Sequence, residues 1–133
     1  MSQSSELTYP GDWPADCPPA AARNCDGPYF HLLRESPPGN TDLKSFAEKG
    51  GNLRNVPLCK CMPYGLSVFT ERDDALFMQR AMPRLGNFIA LLQLSAVDGK
   101  VMLTPGQRPT HNTWWPSSNC VRANCATTIE SVI

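Results

Sequence analysis

An α+β fold is what this sequence predicts: a mostly antiparallel sheet, two short helices and an irregular, proline-rich N-terminal arm. Three observations carry that expectation. Short runs of β-branched, aromatic and aliphatic residues recur between turn-forming residues. Two stretches carry helical spacing with caps and stops. Their order, β-α-β-α-β-β-β-β, lacks the regular alternation that builds a parallel sheet. The 133 residues suit one body able to bury its own core, with 1–27 as an arm and 28–133 as the domain.

The arm holds Pro10, Pro14, Pro18 and Pro19 with Gly11 and Gly27. Proline removes backbone donors and disfavours helix in the residue before it, so this segment reads as extended. Trp13 is expected to dock it on the body, because disordered tails are poor in aromatic residues. "PYFHLLRE" (Pro28–Glu35) reads as the first strand of the body, and "SPPGN" breaks it. "TDLKSFAEKGG" (Thr41–Gly51) reads as a helix capped by Thr41, striped by Leu43, Phe46 and Ala47, and stopped by Gly50-Gly51.

A loop follows, with a short extended piece expected at Leu58–Cys61. "GLSVFT" (Gly65–Thr70) reads as a strand, with Leu66 and Val68 on the core face and Ser67 and Phe69 on the other. Thr70 and Asp73 resemble a capping box for a helix that ends before Pro83. Glu71, Asp73 and Asp74 in its first turn suit the helix dipole better than catalysis. "GNFIALLQLSAVDGKVMLT" reads as a hairpin turning at Asp98-Gly99. "TWW" (Thr113–Trp115) reads as an edge strand, one Trp buried and the other half exposed. "ATTIESVI" reads as the terminal strand.

Twelve basic residues balance twelve acidic ones, without a basic run. That composition supplies no electrostatic draw toward nucleic acid or an anionic membrane, so neither is expected as a partner. No stretch has the length of a membrane span or the character of a signal peptide, which favours the cytoplasm. There the six cysteines would stay reduced, and free, mostly buried thiols are the expected state. A zinc site using Cys59 and Cys61 with Cys120, Cys125 or His111 is conceivable. Its spacing fits no standard structural pattern, and no metal is expected.

No phosphate-binding loop, dinucleotide fingerprint, zinc-protease motif or nucleophile elbow is present, so Ser67 is not expected to be a hydrolase nucleophile. His31 lies within an apolar strand and requires a partner if buried, either a core hydrogen bond or a site. His111 with Asn112 beside the tryptophans suits a pocket wall or a clamp on the arm equally.

Together "YFHLL", "YGLSVFTERDDALF" and "NFIALLQL" resemble the opening of ADP-ribosyltransferase-like domains. The chain also resembles small bacterial proteins sharing "GLSVF" and "TWWP", to which no activity attaches. The first resemblance implies NAD in a cleft between two small sheets, His31 at the ribose, and Ser67 with Tyr64 at the nicotinamide. It also implies a late-strand Glu that stabilises an oxocarbenium-like transition state. Glu130 is the only Glu after Glu71 and takes that part, in a terminal position poorly suited to preorganised chemistry. Two functions follow as expectations. The leading one is a non-catalytic binding or partner protein, with a protein target, of the kind found in toxin loci or mobile elements. The alternative is an NAD-binding enzyme of the transferase type or its inactive descendant.

Overall fold

The computed structural model describes residues 7–53 and 60–132. The strands are β1 (Arg23–Asn24), β2 (Gly27–Leu33), β3 (Leu66–Phe69), β4 (Phe88–Leu94), β5 (Gly99–Leu103), β6 (His111–Pro116) and β7 (Ala126–Ser131). They form one antiparallel sheet in the order β1-β5-β6-β3-β2-β4-β7. A single α-helix, α1 (Arg72–Ala81), is present among the described residues. The fold is therefore predominantly β, which corrects the α+β expectation with two helices.

The missing helix is instructive. Ser45 and Glu48 do exchange the two hydrogen bonds of a capping box, from the Ser45 amide to Glu48 Oε1 at 2.9 Å and from the Glu48 amide to Ser45 Oγ at 3.2 Å. The segment nevertheless makes only turns. Gly50 at φ +81° stops it within about one turn, too few residues to repay helix nucleation. Its amides are satisfied elsewhere: Ala47 donates to the Pro63 carbonyl at 2.8 Å. Glu48 is held by a two-pronged Arg122 guanidinium, with both contacts at 2.7 Å.

The expected hairpin is also absent. β4 and β5 lie far apart in the sheet, so their connection is a crossover. Asp98 does not turn a hairpin there; its carboxylate accepts from the Ser95 amide at 2.9 Å and caps the short 3-10 turn Ala96–Asp98. Gly99 sits at φ +124°, where a Cβ would lie 2.1 Å from the Trp115 carbonyl oxygen.

β6 is not an edge. It pairs with β5 on one side and β3 on the other, and every residue from Asn112 to Pro116 is buried. Trp114 and Trp115 point to opposite faces and both are fully buried, which corrects the expectation that one is half exposed. Trp114 joins Tyr29, Leu33, Leu66, Val68, Leu92 and Val101 in the main core. Trp115 packs with Trp13, Cys17, Ala22 and Cys61, and donates its indole N–H to the Cys61 carbonyl at 2.8 Å. Trp13 thus docks the arm, and β1 within the arm adds a strand beside β5. A Cys17–Cys61 disulfide closes this corner, so these two cysteines depart from the expectation of free thiols. Part of the extended piece read at Leu58–Cys61 lies outside the described residues.

On the Trp115 face, α1 covers Phe69 and Ile89 through Ala75. Its N-cap is Glu71 rather than Thr70, with no side-chain cap bond. Asp74 does more than complement the dipole. It accepts from Arg108 Nε at 2.9 Å, the Thr110 amide at 3.1 Å and the Thr110 hydroxyl at 2.6 Å. Arg108 also lies over the Phe77 ring at 4.3 Å. Helix and β5–β6 loop are thereby tied together.

Two outcomes follow. Trp115→Ala should cost about 3–5 kcal/mol in urea denaturation, whereas Phe46→Ala, half exposed, should shift stability by less than about 0.5 kcal/mol. Thr110 and Arg108 hold Asp74 below its ordinary pKa against desolvation. For Glu48, burial pushes upward but Arg122 and Ser45 outweigh it, and the net direction is also down. A depressed folded pKa contributes stability above the unfolded value and loses it as pH falls through the folded one. Stability should therefore decline on acidification below the usual carboxylate range, and Asp74→Asn should flatten that decline.

Candidate functional site

The site begins with a gap in the sheet. β2 and β3 share one residue pair, Phe30 with Phe69, although β2 pairs with β4 along all seven of its residues. Cross-strand partners share a face, so register places His31 with Ala90 on the main-core side. Ser67 pairs with Thr113 and lies on the opposite side, with Phe69 and His111. A cavity of about 350 Å³ joins the two, lined by residues of both faces and of the 41–49 loop. Its walls include His31, Ser67, His111, Phe69, Met62 and Met78.

His31 spans the gap. Its Nδ1 lies 2.7 Å from the Ser67 carbonyl oxygen and its Nε2 lies 2.8 Å from the Asp42 carbonyl oxygen. Both partners are acceptors, and the imidazole serves both fully only with a proton on each nitrogen. The ring therefore acts as a strut between β3 and the 41–49 loop as well as a cavity wall. The Asp42 carboxylate is consumed by the backbone amides of Arg34, Glu35 and Gly39, at 2.9, 3.0 and 2.8 Å.

His111 makes a different arrangement. Its Nδ1 lies 2.7 Å from the Thr104 carbonyl oxygen, which can only accept. That bond places a proton on Nδ1 and leaves the Nε2 lone pair facing Ser67 Oγ at 2.9 Å. A hydroxyl facing an imidazole that a third group orients is the geometry of an activated oxygen. The hydroxyl of Thr104 also reaches His111 Nδ1 at 3.0 Å and Thr113 Oγ1 at 2.8 Å.

Charge in the cavity wall is one-sided. Arg34, Lys44 and Lys49 contribute cationic side chains, and Asp42 is the only acidic residue among the described residues lining it. Among the described residues, no carboxylate pairs with Lys44 or Lys49. Arg34 is oriented by the Arg84 carbonyl at 3.1 Å.

The residues singled out in the sequence separate here. His31 and Ser67 reach the same cavity. Tyr64 does not: it lies in the 3-10 turn Met62–Tyr64 with its ring 5.7 Å from that of Trp13. Its neighbours Met62 and Gly65 line the cavity in its place. Glu130 is also outside, on the edge strand β7, where it pairs with Arg72 and borders a separate hollow with Phe30 and Ile89. No local signal in the sequence pairs His111 with Ser67. The pairing depends on the β3–β6 register, which places residues 44 positions apart in chain together.

Comparison with known proteins yields no match to any family model, curated protein or solved structure.

Removing the strut should be costly. His31→Ala leaves two carbonyls without their donor, worth about 1–3 kcal/mol each if both stay buried. Denaturation of His31→Ala should show that loss and His31→Gln a smaller one; equal stability of all three proteins would contradict the strut.

Proposed function

We propose that the protein binds an anionic nucleotide of the NAD type in the cavity between β2 and β3, without transferring ADP-ribose. The observation that carries this reading is the opening of His31 and Ser67 onto one cavity with a cationic wall. A volume near 350 Å³ suits the nicotinamide and its ribose. The diphosphate would extend toward Lys44 and Lys49, whose charges meet no carboxylate among the described residues. The Asp42 carbonyl occupies the acceptor position at His31 Nε2 that a ribose hydroxyl would take. Ligand binding therefore displaces that loop carbonyl.

The absence of transfer rests on charge. The resemblance requires a carboxylate beside the anomeric carbon, yet Glu130 is paired with Arg72 elsewhere and Asp42 is consumed by three amides. His111 faces Ser67 from the other wall, and an imidazole does not supply the negative charge that an oxocarbenium ion needs. Neither Trp114 nor Trp115 is exposed, so neither offers an aromatic docking surface to a protein partner.

A second reading draws on the Ser67–His111 pair alone. It makes Ser67 an acylatable nucleophile, with His111 Nε2 taking its proton. A fluorophosphonate probe separates the two: labelling of Ser67 that His111→Ala abolishes would favour acyl transfer.

No helix among the described residues is long and apolar enough to cross a membrane. The Cys17–Cys61 bridge would not persist in a reducing cytoplasm, so we place the protein in an oxidising compartment instead.

The binding proposal predicts that millimolar NAD or ADP-ribose raises the melting temperature. Ser67→Trp, which fills the cavity, should remove that shift, and Lys44→Glu with Lys49→Glu should weaken it. No nicotinamide should be released. An unchanged melting temperature in the wild type with both ligands would end this reading, and nicotinamide release would refute the non-catalytic part.

A further inference from the structure

Away from the cavity, the crossover from β4 to β5 meets the connection from β6 to β7. Asp98 ends the first and Cys120 and Cys125 bracket the turn in the second. The two Sγ atoms and a carboxylate oxygen of Asp98 all lie within 4.8 Å of one another. We propose that Asp98, Cys120 and Cys125 bind zinc, with a water molecule in the fourth position.

The sulfur separation is the first support. Cys120 Sγ and Cys125 Sγ are 3.6 Å apart. Two thiolates at about 2.3 Å from a tetrahedral zinc lie about 3.8 Å apart, whereas a disulfide requires about 2.0 Å. The C-x₄-C spacing is within the range used by paired zinc cysteines. Two thiolates and a carboxylate are also a donor set that favours zinc over calcium or magnesium.

The anchoring is the second support. The Asp98 carbonyl accepts from Trp114 Nε1 at 3.0 Å and from the Ser117 amide at 3.1 Å. Its carboxylate Oδ2 accepts from the Ser95 amide at 2.9 Å, an orienting contact of the kind metal ligands use. The Cys120 amide donates to the Ser117 carbonyl at 3.1 Å and the Asn124 amide to the Val121 carbonyl at 2.9 Å. Cys125 is buried, while Asp98 and Cys120 are half exposed, leaving a way in for an ion. A bound ion would keep the two sulfurs from oxidising and would clamp the crossover to the sheet.

The sequence spacing concealed this set, because the third ligand lies 22 positions before Cys120 and is an aspartate. The site is independent of the nucleotide reading. Its test uses the 133-residue chain purified without chelator or added metal. About one equivalent of zinc should accompany it. After metal removal, cobalt(II) should produce a thiolate-to-cobalt charge-transfer band, and zinc should bleach it. Cys120→Ser, half exposed and so compatible with folding, should abolish the band at unchanged circular dichroism. A folded wild type with both thiols reduced and no band would overturn the proposal. So would a band that survives in Cys120→Ser, or an intact mass showing Cys120 and Cys125 joined as a disulfide.

Discussion

The candidate site depends on one local substitution of a side chain for a backbone ladder. Beyond the Phe30–Phe69 pair, β2 and β3 no longer pair, and the His31 ring takes the Ser67 carbonyl that a strand amide would otherwise have served. An unpaired carbonyl in that position would carry a desolvation cost unless water reached it. The imidazole therefore permits the opening and defines one wall of the space it creates. The same ring fastens the 41–49 loop through the Asp42 carbonyl, which brings Lys44 and Lys49 to the cavity rim.

A gap of that kind requires rigid surroundings. β6 supplies them by being buried on both faces, with Trp114 filling the main core and Trp115 the corner beneath the arm. Both indole nitrogens are satisfied, by the Asp98 and Cys61 carbonyls. On the helical side, the Asp74 contacts to Arg108 and Thr110 hold the β5–β6 loop, and His111 begins the strand that leaves it. The Ser67–His111 geometry is thus set by packing and polar contacts that never touch the cavity.

Local signals in the sequence translated well into strands. "YFHLL" and "ATTIES" lie wholly in strands, "GLSVF" and "NFIALLQL" do so apart from Gly65 and Asn87, and the alternation across Leu66, Ser67 and Val68 falls on the faces expected of it. The α1 helix was legible from its apolar spacing and Pro83. What local pattern could not express was pairing. Asp98-Gly99 has the composition of a hairpin turn, yet Asp98 caps Ser95 and the chain crosses the sheet. "TWW" reads as an edge strand stopped by Pro116, whereas β6 runs through Pro116 and is flanked on both sides. The Thr41–Gly51 segment carries helix caps but too little length between them. In the site, His31 and Ser67 were legible as polar residues within apolar strands. His111 as the partner of Ser67 becomes apparent only from register, and the place of Glu130 and Tyr64 outside the cavity only from their tertiary contacts.

The central claim is that the opening between β2 and β3 is a ligand site. Amide and imidazole NMR spectra recorded during titration with ADP-ribose test it most directly. The account predicts saturable shifts at His31, Ser67 and His111, and at Lys44 and Lys49 on the rim, with the Asp42–Leu43 amide moving as the loop carbonyl is displaced. Perturbation confined to other surfaces, such as the Arg72–Glu130 pair, or no perturbation at millimolar ligand, would contradict it.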